Sequence, residues 1–139
     1  MRYIITLFIL TTALFSSVQW QTDYKEALKL AEKNNKRVYM LIVSSDCQWC
    51  NKFENTTLKN AQILQRLEEK YILLHLVRDF DDIPSQYKTS PVPRHYFIDS
   101  KGKIVFPIVG YRDVDMFNDF LDNADVRYKR LENEISSNK

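Results

Sequence analysis

Two nearly unbroken apolar runs set the frame for this chain: Arg37 to Val43 (RVYMLIV) and Tyr71 to Val77 (YILLHLV). Runs of that length, partly β-branched and without polar alternation, read as strands buried on both faces. Such strands sit inside parallel sheets, and parallel neighbours need a crossover connection that is usually helical. The intervening segment supplies one. Ser44, Ser45 and Asp46 favour helix N-caps, a helix is expected from Cys47, and Leu58 to Lys70 carries Ile63, Leu64 and Leu67 among polar residues. A strand, helix, strand unit of this kind constrains the domain to a layered α/β architecture.

The flanking segments fit the same frame. From Asp23, the residues Tyr24, Ala27, Leu28 and Ala31 form one apolar helical stripe, ended by Asn34 and Asn35. Residues 78–93 carry Asp79, Asp81 and Asp82 and then Pro84, Pro91 and Pro93, so a loop is expected, with at most a short helix around Gln86. The acidic cluster lacks the glycine and terminal glutamate of a calcium loop and reads as solvated. Arg94 to Asp99 and Lys103 to Val109 flank the turn Ser100-Lys101-Gly102 as an antiparallel hairpin, and Gly110 ends its second strand. Asp113 can cap a last helix, in which Val114, Phe117, Leu121, Ala124, Tyr128 and Leu131 recur every three or four residues. The predicted fold class is therefore α/β, a mixed central sheet between helical layers. One domain is expected over residues 20–134, followed by a polar, disordered tail at 135–139.

A chain of 139 residues supports one ordinary domain, and its 45% hydrophobic content supplies a core without disulfide stapling. The two cysteines are then available for chemistry. With 20 basic and 18 acidic residues interspersed, nothing resembles a phosphate-binding footprint, and no nucleic-acid partner is expected. Residues 1–19 read as a signal peptide: Arg2, an apolar stretch from Ile4 to Phe15, then the small residues Ser16 and Ser17. The stretch is shorter than a spanning helix needs. Export, with the bacterial periplasm as the expected compartment, would place the cysteine pair in an oxidising environment.

Cys47 and Cys50 stand at the junction of the buried strand and the following helix. Unpaired N–H groups and the positive end of the macrodipole stabilise a thiolate there, which makes Cys47 the candidate nucleophile. Two intervening residues keep the second thiol within disulfide reach, so Cys50 is the candidate resolving thiol. Trp49, between them, reads either as part of an exposed apolar surface for extended substrates or as a side chain packed on the domain.

The order of elements and the string SSDCQWCNKF resemble the thioredoxin superfamily, over roughly Asp23 to Tyr128. The resemblance implies a thioredoxin-like three-layer sandwich and a proline in cis before the strand that follows the long loop, where Val92-Pro93 stands. It implies that Pro93 lies against the cysteine pair and that the Val92 backbone can pair with a substrate strand. Pro91 fits that position less well. Thioredoxins have tryptophan before the first cysteine and Gly-Pro inside the motif, whereas this chain has Asp46 and Gln48-Trp49. The pattern is closer to secreted thioredoxin-related proteins with an Asp-Cys-x-x-Cys centre. The buried acid that thioredoxins carry six residues before the first cysteine corresponds to Leu41, so proton transfer at Cys50 needs another group or water. Glu54, one helical turn beyond Cys50, is the candidate substitute, against the alternative of a solvent-facing glutamate. Asp46 opposes the Cys47 thiolate unless its side chain caps the helix.

These features imply a thiol-disulfide oxidoreductase without cofactor, acting as a monomer on disulfide-containing exported proteins. Without the long helical insertion of Dsb-type oxidants, reduction or isomerisation is favoured, with electrons from a membrane partner. No metal is assigned, because His75 and His95 lie outside the usual intervals of a zinc site with Cys47 and Cys50. The competing reading is a non-catalytic binding or chaperone module on the same fold.

Overall fold

The computed structural model describes residues 18–138. The leader expected at 1–19 therefore lies almost wholly outside the described residues. Among those described, no helix is long and apolar enough to cross a membrane.

The chain begins with a two-residue strand β1 (Trp20–Gln21), then α1 (Tyr24–Lys33), β2 (Arg37–Val43) and α2 (Gln48–Asn55). A 3₁₀ turn (Thr57–Lys59), α3 (Ala61–Lys70) and β3 (Tyr71–Val77) follow, then the hairpin β4 (Arg94–Ile98) and β5 (Ile104–Val109), and finally α4 (Val114–Ser137). The five strands form one sheet in the order β1-β3-β2-β4-β5. β2 pairs parallel with β3 and antiparallel with β4, so it is the central strand, and β1 adds to β3 in parallel. Helices cover both faces. On one, Val38, Met40 and Ile42 of β2 join Leu74 and Leu76 of β3 beneath Ala27 and Ala31 of α1. On the other, Tyr39, Leu41 and Val43 pack with Phe53 of α2, Ile63 and Leu67 of α3, and Phe117, Leu121 and Tyr128 of α4. The three-layer α/β sandwich follows from the two-sided burial of β2.

Local chemistry accounts for the boundaries. Asp23 caps α1 by accepting the Glu26 N–H, and Asn35 leaves the helix at a positive φ of 51°. Asn60 restarts the chain after the 3₁₀ turn by accepting the N–H groups of Gln62 and Ile63. Asp113 caps α4 by accepting the Met116 N–H at 2.9 Å. The Tyr128 hydroxyl donates to the Ile98 carbonyl at 2.9 Å, and the Arg37 guanidinium lies 3.9 Å over the same ring, fastening α4 to the sheet.

Three features differ from the sequence reading, and the expected loop around Gln86 forms without its optional helix. β1 had no detectable signal, since two residues carry no periodicity; it is held by pairing with Leu73 and Leu74 and by Trp20 packing edge-on against Tyr39 and His75. The first turn of α2 is capped by Cys47 and not by Ser44, Ser45 or Asp46. No helix forms around Gln86; a turn there, closed by Tyr87 N–H to Pro84 carbonyl, is anchored by buried Tyr87, which bonds Tyr24 and the Gly102 carbonyl. Residues 135–137, expected in a disordered tail, continue α4, with Ser136 and Ser137 hydroxyls donating to the Glu132 and Glu134 carbonyls.

Candidate active site

β2 ends at Val43, and the loop that leads to α2 is pinned from the β3 side. The Asp79 carboxylate accepts the Ser45 N–H at 2.7 Å and its hydroxyl at 3.0 Å, and these bonds hold its carboxyl below the usual carboxylate range. The pinned loop delivers Cys47 to the N-cap of α2. There its Sγ accepts the Cys50 N–H at 3.1 Å, one of the donors that a helix start leaves unpaired. Cys47 and Cys50 are joined as a disulfide, with Cα atoms 5.2 Å apart. Cys47 keeps 9% of its surface and Cys50 1%, so any approach to the bond from solvent falls on Cys47. Asp46 is exposed beside it and takes no part in the cap.

The β3–β4 loop ends at the same edge of the sheet. Arg94 is paired with Ile42, which puts Pro93 level with the end of β2, from which Cys47 departs. Val92-Pro93 is cis, and so is Ser90-Pro91, the bond given less weight from sequence. Val92 is half-buried between the two core clusters. The loop is tied down at both ends: Gly110 N–H donates to the Pro93 carbonyl at 2.7 Å, and the buried Arg94 guanidinium donates to the Ser90 and Pro91 carbonyls. Arg94 was not singled out from sequence, since a lone arginine at a strand start carries no distinguishing pattern.

Trp49 is 54% exposed. Its ring leans on Tyr111, with centroids 5.7 Å apart, and the Lys52 ammonium sits over both rings at 5.1 and 4.6 Å. One side of Trp49 thus packs on the domain and the other faces solvent.

On α2 and beneath it lie Glu54, the proton-transfer candidate of the sequence reading, and the two histidines to which that reading assigned no metal. Leu41 is flanked in register by His75 of β3 and His95 of β4, so a histidine stands on either side of it on the face toward α2. His75 Nε2 lies 2.6 Å from the Glu54 carboxylate, and both side chains are half-buried, so Glu54 is not simply a solvent-facing residue. His95 is fully buried, bonded to the Tyr39 hydroxyl at 2.8 Å and the Gly110 carbonyl at 3.1 Å. Burial pushes its imidazole down to about 4, which keeps it neutral, and pushes the Tyr39 phenol up. Both histidines are engaged within the fold, away from any zinc-like grouping; among the described residues no cluster of three or more His, Cys, Asp or Glu side chains can hold a metal. The flanking follows from the pairing register of β2 with β3 and with β4, which no local signal in the sequence carries.

A disulfide capping a helix at the sheet's carboxyl edge, beside a cis-proline loop, defines a thioredoxin-type redox centre, and the family comparison agrees: the model of the thioredoxin-like domain matches residues 24–125, and the chain belongs to that family. The chain is 28% identical to mouse anterior gradient protein 3 over 93 residues, 67% of this chain and 56% of that protein. It therefore spans about half the length of that relative. Among solved structures it is similar to a thioredoxin from Thermus thermophilus, with a TM-score of 0.69 at 22% identity over 81% of this chain and 90% of that one. It is similar also to the oxidised C-terminal domain of DsbD from Neisseria meningitidis, with a TM-score of 0.62 at 19% identity over 76% and 99%.

Proposed function

We propose that this protein is an exported thiol-disulfide oxidoreductase that reduces or isomerises disulfides of other exported proteins through a Cys47/Cys50 cycle. The observation that carries the proposal is the disulfide at the N-cap of α2, where Cys47 keeps 9% of its surface exposed and Cys50 1%. In the reducing direction, the Cys47 thiolate attacks one sulfur of a substrate disulfide, and the other leaves as a thiolate that takes a proton from solvent. Cys50 then attacks Cys47 Sγ, breaking the mixed disulfide. The substrate departs as a dithiol carrying two electrons, and the protein keeps the Cys47–Cys50 disulfide. A membrane-bound thiol donor would return the electrons. If the substrate's own thiol resolves the mixed disulfide first, the net result is isomerisation. The Val92 backbone at the loop edge and the open side of Trp49 are the surfaces on which an extended client would lie. Placement outside the cytoplasm is supported by the leader-like composition of residues 1–19.

Reduction of insulin by dithiothreitol tests the activity. The protein is expected to accelerate it and Cys47→Ser to abolish the acceleration; equal rates for both proteins would overturn the enzymatic reading in favour of a binding module. Clients are expected to be trapped as mixed disulfides on Cys50→Ser. The reduction potential decides direction, with a value of about −270 mV expected of a reductase and one of about −120 mV indicating an oxidant.

A further inference from the structure

The cycle requires Cys50, which is almost wholly buried, to lose a proton before it attacks and to regain one afterwards. Leu41, the β2 residue between His75 and His95, offers no such group. Two polar pairs lie on the same face of the sheet. The Tyr39–His95 pair is fully buried, each partner bonded inside the protein, so it has no route for exchanging protons with water. The Glu54–His75 pair is different. It sits in the wall of an open recess of about 310 Å³ lined also by Val18, Trp20, Leu58 and Leu64. Glu54 follows Cys50 by four residues on α2, which puts their Cβ atoms about 5–6 Å apart on one face of the helix. The pair therefore reaches from the helix face that carries Cys50 to solvent.

We propose that Glu54 is the proton acceptor and donor for Cys50, with His75 the positioning residue that holds its carboxylate and passes the proton to the recess; this rests on the redox reading above. The groups facing Glu54 are few. His75 comes from β3 and Tyr39 from β2, while β1, the 3₁₀ turn and α3 present Trp20, Leu58 and Leu64; Cys50 is one turn back on the same helix by spacing. Before resolution, the Glu54 carboxylate takes the Cys50 thiol proton; the thiolate forms the new S–S bond with Cys47, and the substrate sulfur leaves with the electron pair of the broken bond. The proton then passes through His75 to water. In the reverse direction the same carboxyl returns a proton to Cys50 as it leaves.

The test mixes the reduced protein with 5,5′-dithiobis(2-nitrobenzoate) in a stopped-flow instrument, where each sulfur attack releases one coloured thiolate. Cys47 attack gives the first phase and Cys50 attack on the mixed disulfide the second. Glu54→Gln, which keeps the shape and a hydrogen bond to His75, is expected to leave the first phase unchanged and slow the second by about 10²-fold near neutral pH. The two proteins are expected to converge only at high pH, where hydroxide removes the Cys50 proton without Glu54, burial placing that point above the ordinary thiol range. Glu54→Asp is expected to recover part of the rate, and His75→Gln to shift the pH profile of the second phase only. An unchanged second phase in Glu54→Gln, or slowing that is the same at every pH, overturns the proton role while leaving the redox reading intact. A wild-type protein without a second phase overturns both.

Discussion

At the scale of single residues, Cys47 is subject to two opposing fields. The helix start favours its thiolate through the Cys50 N–H and the macrodipole. Asp46, adjacent in sequence and exposed, opposes it, and because Cys47 itself occupies the cap, the Asp46 charge is not absorbed by the helix N–H groups. The Cys47 thiol of the reduced protein is expected to be only moderately depressed, and Asp46→Asn to lower it further. Ultraviolet titration of the thiolate checks both; a wild-type value below about 5 would contradict the balance drawn here.

At the scale of elements, the site depends on two short connections. The turn of the β4–β5 hairpin uses Gly102 at φ 86°, and a Cβ there would run into the Tyr24 hydroxyl, which belongs to the Tyr24–Tyr87 contact that anchors the long loop. Gly102→Ala combines backbone strain with displacement of that contact and is expected to cost more than about 1 kcal/mol in urea unfolding. The loop before β4 depends on Arg94, whose guanidinium spans the Ser90 and Pro91 carbonyls and approaches Tyr96. Arg94→Met is expected to leave the sheet intact but loosen residues 88–93, seen as faster amide exchange confined to that segment. Asp113→Ala removes the cap of α4 and should cost about 1 kcal/mol.

At the scale of the whole molecule, the core carries a pH dependence. His95 is neutral and wholly buried among Tyr39, Phe53 and Phe117. Its folded value near 4 lies below the ordinary 6.5, so the unfolded chain binds the proton more readily, and stability rises with pH across that interval. Stability is therefore full above about 6.5 and is lost as the pH falls towards 4, by about 3 kcal/mol for this one group. Urea unfolding at several pH values is expected to show that loss in the wild type, and a dependence smaller by that amount in His95→Gln. The apolar content that makes His95 so costly to charge is also what lets a chain with one short disulfide ring fold as a single sandwich, since a ring closed across two residues restrains the unfolded chain little.

Several elements were legible along the chain because their signals are local. β2 and β3 announce themselves as unbroken apolar runs, and α1 and α4 as stripes beginning at Asp23 and Asp113, whose side chains do cap them. The redox pair was legible for the same reason, being four adjacent residues at a strand-to-helix junction. What the sequence could not decide depends on which strands lie side by side. β1 exists only because β3 offers an open edge. Glu54 acquires His75, and Tyr39 acquires His95, only once β2 has been placed between β3 and β4 in one particular register. The sequence by itself determined the long elements and the placing of the cysteine pair at a strand-to-helix junction, through spacing and composition. Pairing across the sheet is non-local, and only the tertiary structure decided which polar groups were brought beneath Cys50 and which were sealed away from water.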